Sequence, residues 1–151
     1  MASQLVEFLE ERKGKAQGGD WQARKEAWIT SVERLHETIK HLLEPSEKKG
    51  IASIATNWID ITEDFVGTYT VPELKLTVGD DRVTFTPKGL IVYGASGRVD
   101  VRGDRDTVSL IRLPNEPSGE WQVVLRRVPK IMTVPLGERS LVDLLERVMA
   151  P

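Results

Sequence analysis

The chain of 151 residues has the length of one ordinary domain, and its hydrophobic and charged contents are those of a globular protein. Its formal charge of -2 gives no overall attraction to nucleic acid or to an anionic membrane. Because the chain has no cysteine, disulfides, thiolate nucleophiles and cysteine-based metal sites are excluded. The sequence has neither a signal-peptide pattern nor an apolar run that could span a membrane, so we predict a cytoplasmic protein that does not bind membranes.

The first part of the chain, residues 1–45, is predicted to be helical. Apolar residues at helical spacing predict a short first helix, which glycines then interrupt. A second, longer helix is predicted from Asp20, as its N-cap, to about Glu44, with Pro45 ending it.

The longer helix carries an apolar stripe whose spacing alternates between four and three residues, which is typical of a coiled-coil seam. The seam residues are Trp28, Val32, Leu35, Ile39 and Leu42. Two interpretations remain open. The favoured one is a long helix that packs on a sheet or on the first helix, and the other is a homodimer formed through the seam.

Residues 51–134 favour an antiparallel β-meander of about six to seven strands, because β-branched alternations are cut at regular intervals by Gly, Pro and Asp. The registers of successive hairpins can be set by placing apolar residues opposite one another. The resulting pairs are Leu76 with Phe85, Phe85 with Leu90, Val83 with Val92, Val92 with Val99, Val99 with Leu110, and Leu110 with Val123. Each strand then presents its apolar residues to the same face of the sheet.

An amphipathic helix is predicted at residues 138–149, where apolar residues recur at helical spacing. Together these elements predict a single α+β domain over residues 1–151. Its N-terminal helices and its short C-terminal helix would pack on the apolar face of the meander.

The opposite face of the sheet, here called the outer face, is the predicted binding surface. Its candidate residues are Tyr93, Arg98, Asp100, Arg102, Ile111 and Arg126. A mixture of apolar, aromatic and arginine side chains is typical of protein interfaces. The leading prediction is therefore a non-catalytic interaction protein with an accessory, adaptor or immunity-type role and a protein partner that the sequence does not identify.

Nucleic acid is the alternative partner on the same face, because Tyr93 could stack on bases while arginines neutralise phosphates. This single-stranded nucleic-acid module would use Tyr93, Arg98, Arg102 and Arg126. A small cluster of positive charge formed by Arg126, Arg127 and Lys130 supports it. No acidic residue occurs in residues 121–137, so nothing close in the sequence neutralises this cluster.

Catalytic function is the least supported prediction, and no catalytic residue, metal or cofactor is expected. Asp60 followed by Glu73 and Lys75 resembles the D…ExK pattern of metal-dependent nucleases, in which the carboxylates would hold Mg²⁺. His36 and His41 stand five apart on a helix, so they would not converge on one metal, and both are predicted to face solvent. A meander closed into a barrel around a small apolar ligand is a further alternative.

Overall fold

The computed structural model describes residues 4–9, 19–92 and 94–150, and its centre is one seven-stranded antiparallel sheet. The helices are α1 (residues 4–9), α2 (Gly19–Lys48) and α3 (Glu138–Val148). The strands are β1 (Ser53–Glu63), β2 (Gly67–Val78), β3 (Asp81–Gly89), β4 (Arg98–Arg102), β5 (Thr107–Arg112), β6 (Trp121–Arg126) and β7 (Met132–Pro135). The strands lie in the sheet in the order of the chain, so the predicted α+β meander is confirmed. Among the described strands β1 and β7 form the two edges of an open sheet, not a closed barrel.

One hydrophobic core lies between the sheet and helices α2 and α3. Val83, Val99 and Leu110 are fully buried in it, as the alternating pattern predicts. Helix α2 adds the seam residues, of which Trp28, Val32, Leu35 and Ile39 are buried and Leu42 is partly buried. The seam therefore packs within the chain, as in the favoured interpretation, and these residues leave no apolar stripe open to a second copy.

The hairpin registers are confirmed in the second half of the sheet and are shifted in the first. Val99 pairs with Leu110, and Leu110 pairs with Val123, as predicted. Leu76, however, pairs with Val83 rather than with Phe85. Residues 79 and 80 form a tight turn in which the glycine has φ +59, and this turn is shorter than the expected loop. A shift of two residues keeps every side chain on its predicted face.

The predicted strand through Leu90 and Val92 is wrong, because the described residues 90–92 belong to the connection between β3 and β4. Val99 pairs with Pro87 instead of Val92, and the register shifts between Pro87 and Gly89. Gly89 has φ +146, a conformation that interrupts the strand. The next two backbone N–H groups then donate to the carboxylate of Glu63 instead of to a neighbouring strand.

Helix α2 is longer than predicted at both ends. Asp20, the predicted N-cap, lies inside the helix, and the helix continues through Pro45 to Lys48. A proline so close to the end removes only one backbone donor from the last turns. The helix ends before Gly50, which has φ +70.

Strand β2 changes its buried face halfway along, which lets the β1–β2 hairpin wrap around α2. Val71 and Leu74 are both fully buried although they stand three residues apart, a spacing that places them on opposite faces of a regular strand. From Leu74 onward β2 pairs with β3, and before it β2 pairs only with β1. In the half of β2 that does not pair with β3, the Tyr69 hydroxyl accepts a hydrogen bond of 3.0 Å from Nε1 of Trp28 on α2.

Replacing Gly103 with alanine should lower the free energy of unfolding by about 1–3 kcal/mol, as overpacking does. A Cβ at this position would lie 2.1 Å from the backbone oxygen of Val148, at the end of α3. The same oxygen accepts a hydrogen bond from the N–H of Arg105, so the helix end is fixed against the sheet. Gly137→Ala is the matched control, because its Cβ would have no neighbour within 4 Å. Equal urea denaturation midpoints for the two variants would contradict this account.

Candidate protein-binding surface

The outer face of strands β4 to β6 has the predicted arrangement of residues. Arg98 stands opposite Ile111, which stands opposite Gln122, and Asp100 stands opposite Ser109. Tyr93 lies outside the described residues, so its predicted stacking role is not addressed.

Asp100 is engaged with its neighbours on this face. Its Oδ1 lies 3.1 Å from Nε of Arg98 and accepts a hydrogen bond of 3.0 Å from the Ser109 hydroxyl. Asp100 therefore has two partners within the sheet, Arg98 on its own strand and Ser109 on β5.

The apolar part of the predicted surface is not available for binding. Ile111 is only 4% exposed, and Val124 on the neighbouring strand is also buried. Ile91 is exposed, but it lies in the connection after β3 and not on the sheet. What remains accessible in the middle of the outer face is polar, with residues such as Thr84 and Arg102 side by side. The prediction of Ile111 as a contact residue is therefore wrong.

A different surface combines exposed apolar and basic side chains: the end of the β6–β7 hairpin, residues 125–132, here called the basic hairpin. Its exposed apolar side chains are Leu125, Val128, Ile131 and Met132. Its cations are Arg126, Arg127 and Lys130, and each of these residues is exposed. Val128 is 79% exposed. Of the predicted binding residues, Arg126 belongs to this surface.

The cations of the basic hairpin make no ion pair with any described residue. Other arginines of the chain are paired, among them Arg112 with Glu120 at 2.9 Å and Arg147 with Asp106 at 3.0 Å. The acid-free sequence around the hairpin explains the difference, because no carboxylate is close in the chain. Its positive charge is therefore available to an external anion.

An apolar cleft of about 180 Å³ opens beside the basic hairpin, between α3 and strands β6 and β7. Its walls include Val108, Val123, Val134 and Leu144, and Leu125 of the basic hairpin also lines it. Cavities of comparable size accept a benzene ring. The cleft therefore has room for one aromatic or branched aliphatic side chain. Arg147, which pairs with Asp106 at 3.0 Å, also lines the cleft.

The predicted nuclease residues do not come together. Glu73 stands opposite Asn57 across the β1–β2 pair, so Asp60, three residues further along β1, points to the other face. Asp60 accepts a hydrogen bond from Thr70, and Glu73 accepts one from Thr86. No group of three His, Asp or Glu residues in the described part of the chain could hold a metal ion.

A partly buried polar network around Glu63 has a structural role. The Tyr69 hydroxyl donates a short hydrogen bond to Glu63, whose carboxylate also binds the N–H groups of Leu90 (3.2 Å) and Ile91 (2.9 Å). Burial and the neighbouring carboxylate raise the pKa of the Tyr69 phenol far above its ordinary value, so it stays protonated. The network fixes the β1–β2 hairpin against the connection after β3.

Residues Leu125, Val128 and Ile131 were missed by the sequence reasoning. The signal was present, because the positive cluster and its acid-free surroundings are visible in the sequence, and apolar residues alternate with the cations. What the sequence does not reveal is that the hairpin lies beside a cleft built by α3.

Comparisons with protein-family models, with curated proteins and with solved structures give no match to this chain. No helix among residues 4–9, 19–92 and 94–150 is both long and apolar enough to cross a membrane.

Proposed function

We propose that this chain is a non-catalytic protein-binding module that recognises an acidic segment of its partner through the basic hairpin. The single observation that carries the proposal is the set of unpaired cations, Arg126, Arg127 and Lys130, interleaved with exposed apolar side chains. Arginine and methionine are enriched in protein interfaces, and exposed apolar groups contribute binding energy when a partner covers them.

The cleft beside the basic hairpin favours a protein partner over nucleic acid. A cleft with apolar walls accepts an apolar side chain, and a peptide can supply one next to carboxylates. Binding of single strands depends on aromatic side chains that stack on bases, and the basic hairpin contains none. The single-stranded nucleic-acid module therefore has less support, and Tyr93 has no part in the basic hairpin.

The outer face remains the second part of the proposal. Arg98 and Arg102 lie on β4, two strands away from Arg126, and their strands share one sheet. An extended acidic segment bound at the basic hairpin could continue along β4, past Arg98 and Arg102. The apolar contact would come from the cleft rather than from Ile111.

Fluorescence anisotropy with a labelled acidic peptide that carries one central phenylalanine should detect binding that weakens with salt. Reversing the three cations in Arg126→Glu/Arg127→Glu/Lys130→Glu should raise the Kd at least about tenfold, since each charge contributes several tenths of a kcal/mol or more. The matched control is Lys75→Glu/Arg82→Glu/Lys88→Glu, which changes the net charge equally at exposed positions elsewhere in the sheet. The control should retain binding.

Further experiments distinguish the contribution of the cleft to binding from that of the charges. They also distinguish a protein partner from other anionic ligands. A peptide with alanine in place of phenylalanine should bind more weakly to the unaltered chain if the cleft receives the ring. Preferred binding of oligo(dT) or of anionic lipid vesicles would overturn the assignment of a protein partner. Equal loss of affinity in the two triple variants would show that only net charge matters.

A further inference from the structure

Strand β1 forms a long open edge of the sheet. Among the described residues it pairs with β2 alone, from Ser53 opposite Thr77 to Glu63 opposite Gly67. All eleven residues of the strand take part in this pairing, so the backbone groups on its other side face outward along the whole strand. Such an edge is a template for pairing with another strand.

The two edges of this sheet differ in how they are protected. Strand β7 has only four residues, ends in Pro135 and follows an irregularity in the register between Val124 and Arg126. Short length, proline and bulges are the devices that prevent edge pairing. Strand β1 contains no proline, glycine or lysine, and its pairing with β2 has no register shift. At its centre, the side chain of Trp58 is 61% exposed.

We propose that β1 pairs antiparallel with β1 of a second copy of this chain, about a two-fold axis at Trp58. Residue 58 is the midpoint of Ser53–Glu63, so this register pairs every residue of the strand. Two seven-stranded sheets then become one continuous sheet, and the two Trp58 side chains meet at the centre. A symmetric contact of this kind closes at the dimer.

The charges of β1 fit this register. Asp60 stands opposite Thr56 of the second copy, so its carboxylate faces a hydroxyl. Glu63 stands opposite Ser53, and its carboxylate stays bound to Tyr69 and to the connection after β3. Ile61 stands opposite Ala55, which keeps apolar side chains together. Centring the pairing on Asp60 instead would oppose two carboxylates and leave residues 53–56 unpaired.

The dimer is independent of the proposed partner-binding function. The basic hairpin lies at the other edge of the sheet, and three strands, β3 to β5, separate it from the β1–β2 pair. Pairing through β1 therefore leaves it open in both copies. Each dimer carries two basic hairpins facing away from the shared edge, which permits binding to two acidic segments.

Sedimentation equilibrium of the full chain, in a series of concentrations, measures the monomer–dimer Kd. Two substitutions at the exposed Thr56 test the register, because both are polar and only the sign of the charge differs. Thr56→Asp places a carboxylate opposite Asp60 twice in the dimer and should weaken it roughly tenfold. Thr56→Lys places an ammonium there and should keep or tighten the dimer, with a dependence on salt.

The outcomes decide the proposal in either direction. Val142→Lys is the control, since this residue is exposed on α3, and it should leave the Kd unchanged. Monomeric unaltered chain up to about 1 mM would overturn the proposal. A dimer that responds equally to Thr56→Asp and Thr56→Lys would overturn the register. Circular dichroism verifies that each variant is folded, and failure of the peptide-binding experiment would leave these results unaffected.

Discussion

Replacing Gly97 with alanine should lower the free energy of unfolding by about 3 kcal/mol or more, because overpacking and an unfavourable φ add together. A Cβ on Gly97 would lie 2.2 Å from Cζ3 of Trp28, and Gly97 has φ +150. The indole of Trp28 cannot yield easily. It is fully buried, its Nε1 donates to Tyr69, and its ring lies 6.0 Å from the ring of Trp121.

Gly94→Ala separates the two contributions to this loss. Gly94 also has a positive φ, +76, but a Cβ there would have no neighbour within 4 Å. Its alanine variant should therefore show only the conformational strain. Urea denaturation of both variants, with unchanged m-values, measures the difference. Equal losses in the two variants would show that the contact with Trp28 is not decisive.

A double-mutant cycle with Trp28 tests the contact directly. Trp28→Ala alone should cost about 3–5 kcal/mol, as removal of large buried side chains does. In that background Gly97→Ala no longer meets a ring, so its additional cost should fall to that of Gly94→Ala. If Trp28→Ala does not fold, Trp28→Leu supplies a milder background, in which the additional cost of Gly97→Ala should also fall. An unchanged cost of Gly97→Ala in either background would contradict the account.

The alternation of apolar residues predicts most of the sheet because a half-buried strand must present every second side chain to the core. Val99, Val101, Leu110 and Val123 satisfy this rule in one register only, and the structure has that register. The same reasoning failed at Leu90, which is buried without belonging to a strand. Burial alone does not distinguish a strand from a connection that turns into the core.

The contacts that shape the first half of the sheet are long-range and were not predictable from local pattern. Glu63 binds backbone groups 27 and 28 residues further along the chain. It can do so only because β2 leaves β3 before Leu74 and carries the β1–β2 hairpin over α2. A strand pattern gives no sign of where two paired strands separate.

In the candidate site, too, local pattern predicts some features and fails to predict those that depend on the rest of the fold. Arg126 was predicted because charge clusters are visible in a sequence, and it is exposed in the structure. Ile111 was predicted because its strand position points to the outer face, and that orientation follows from the register. Its burial is not predicted by the alternation, which gives only the face to which a side chain points.

His36 was predicted to face solvent, and the structure corrects this. It is 3% exposed, and Trp58 and Pro72 of the β1–β2 hairpin lie around the same small cavity. Its Nε2 has no hydrogen-bond partner among the described residues. On a helix wheel His36 lies beside the seam, so its burial requires the hairpin that wraps around α2. His41, the other histidine, is exposed as predicted.

Burial of His36 should make the fold less stable as the pH falls from about 6.5 to about 4. Burial, and then the positive charge of Lys40, lower the pKa of His36 from 6.5 to about 4. Above pH 6.5 the imidazole is neutral in the folded and the unfolded chain. Between the two pKa values the unfolded chain binds a proton that the folded chain does not, so acid favours unfolding. The full penalty, reached below about pH 4, is about 3 kcal/mol.

Replacing His36 with leucine should remove this pH dependence and leave that of the carboxylates. Glu33 and Glu37 line the same cavity and are present in both proteins, so the comparison of the two proteins isolates the effect of His36. Urea denaturation at pH 7.5 and at pH 4.5 should show an additional loss of about 2–3 kcal/mol in the unaltered chain relative to His36→Leu. His41→Leu, on the same helix, should behave as the unaltered chain does. Equal losses of unfolding free energy in the unaltered chain and in His36→Leu would contradict this prediction. They would mean that the imidazole accepts its proton without leaving the core, and that the β1–β2 hairpin does not exclude water from it.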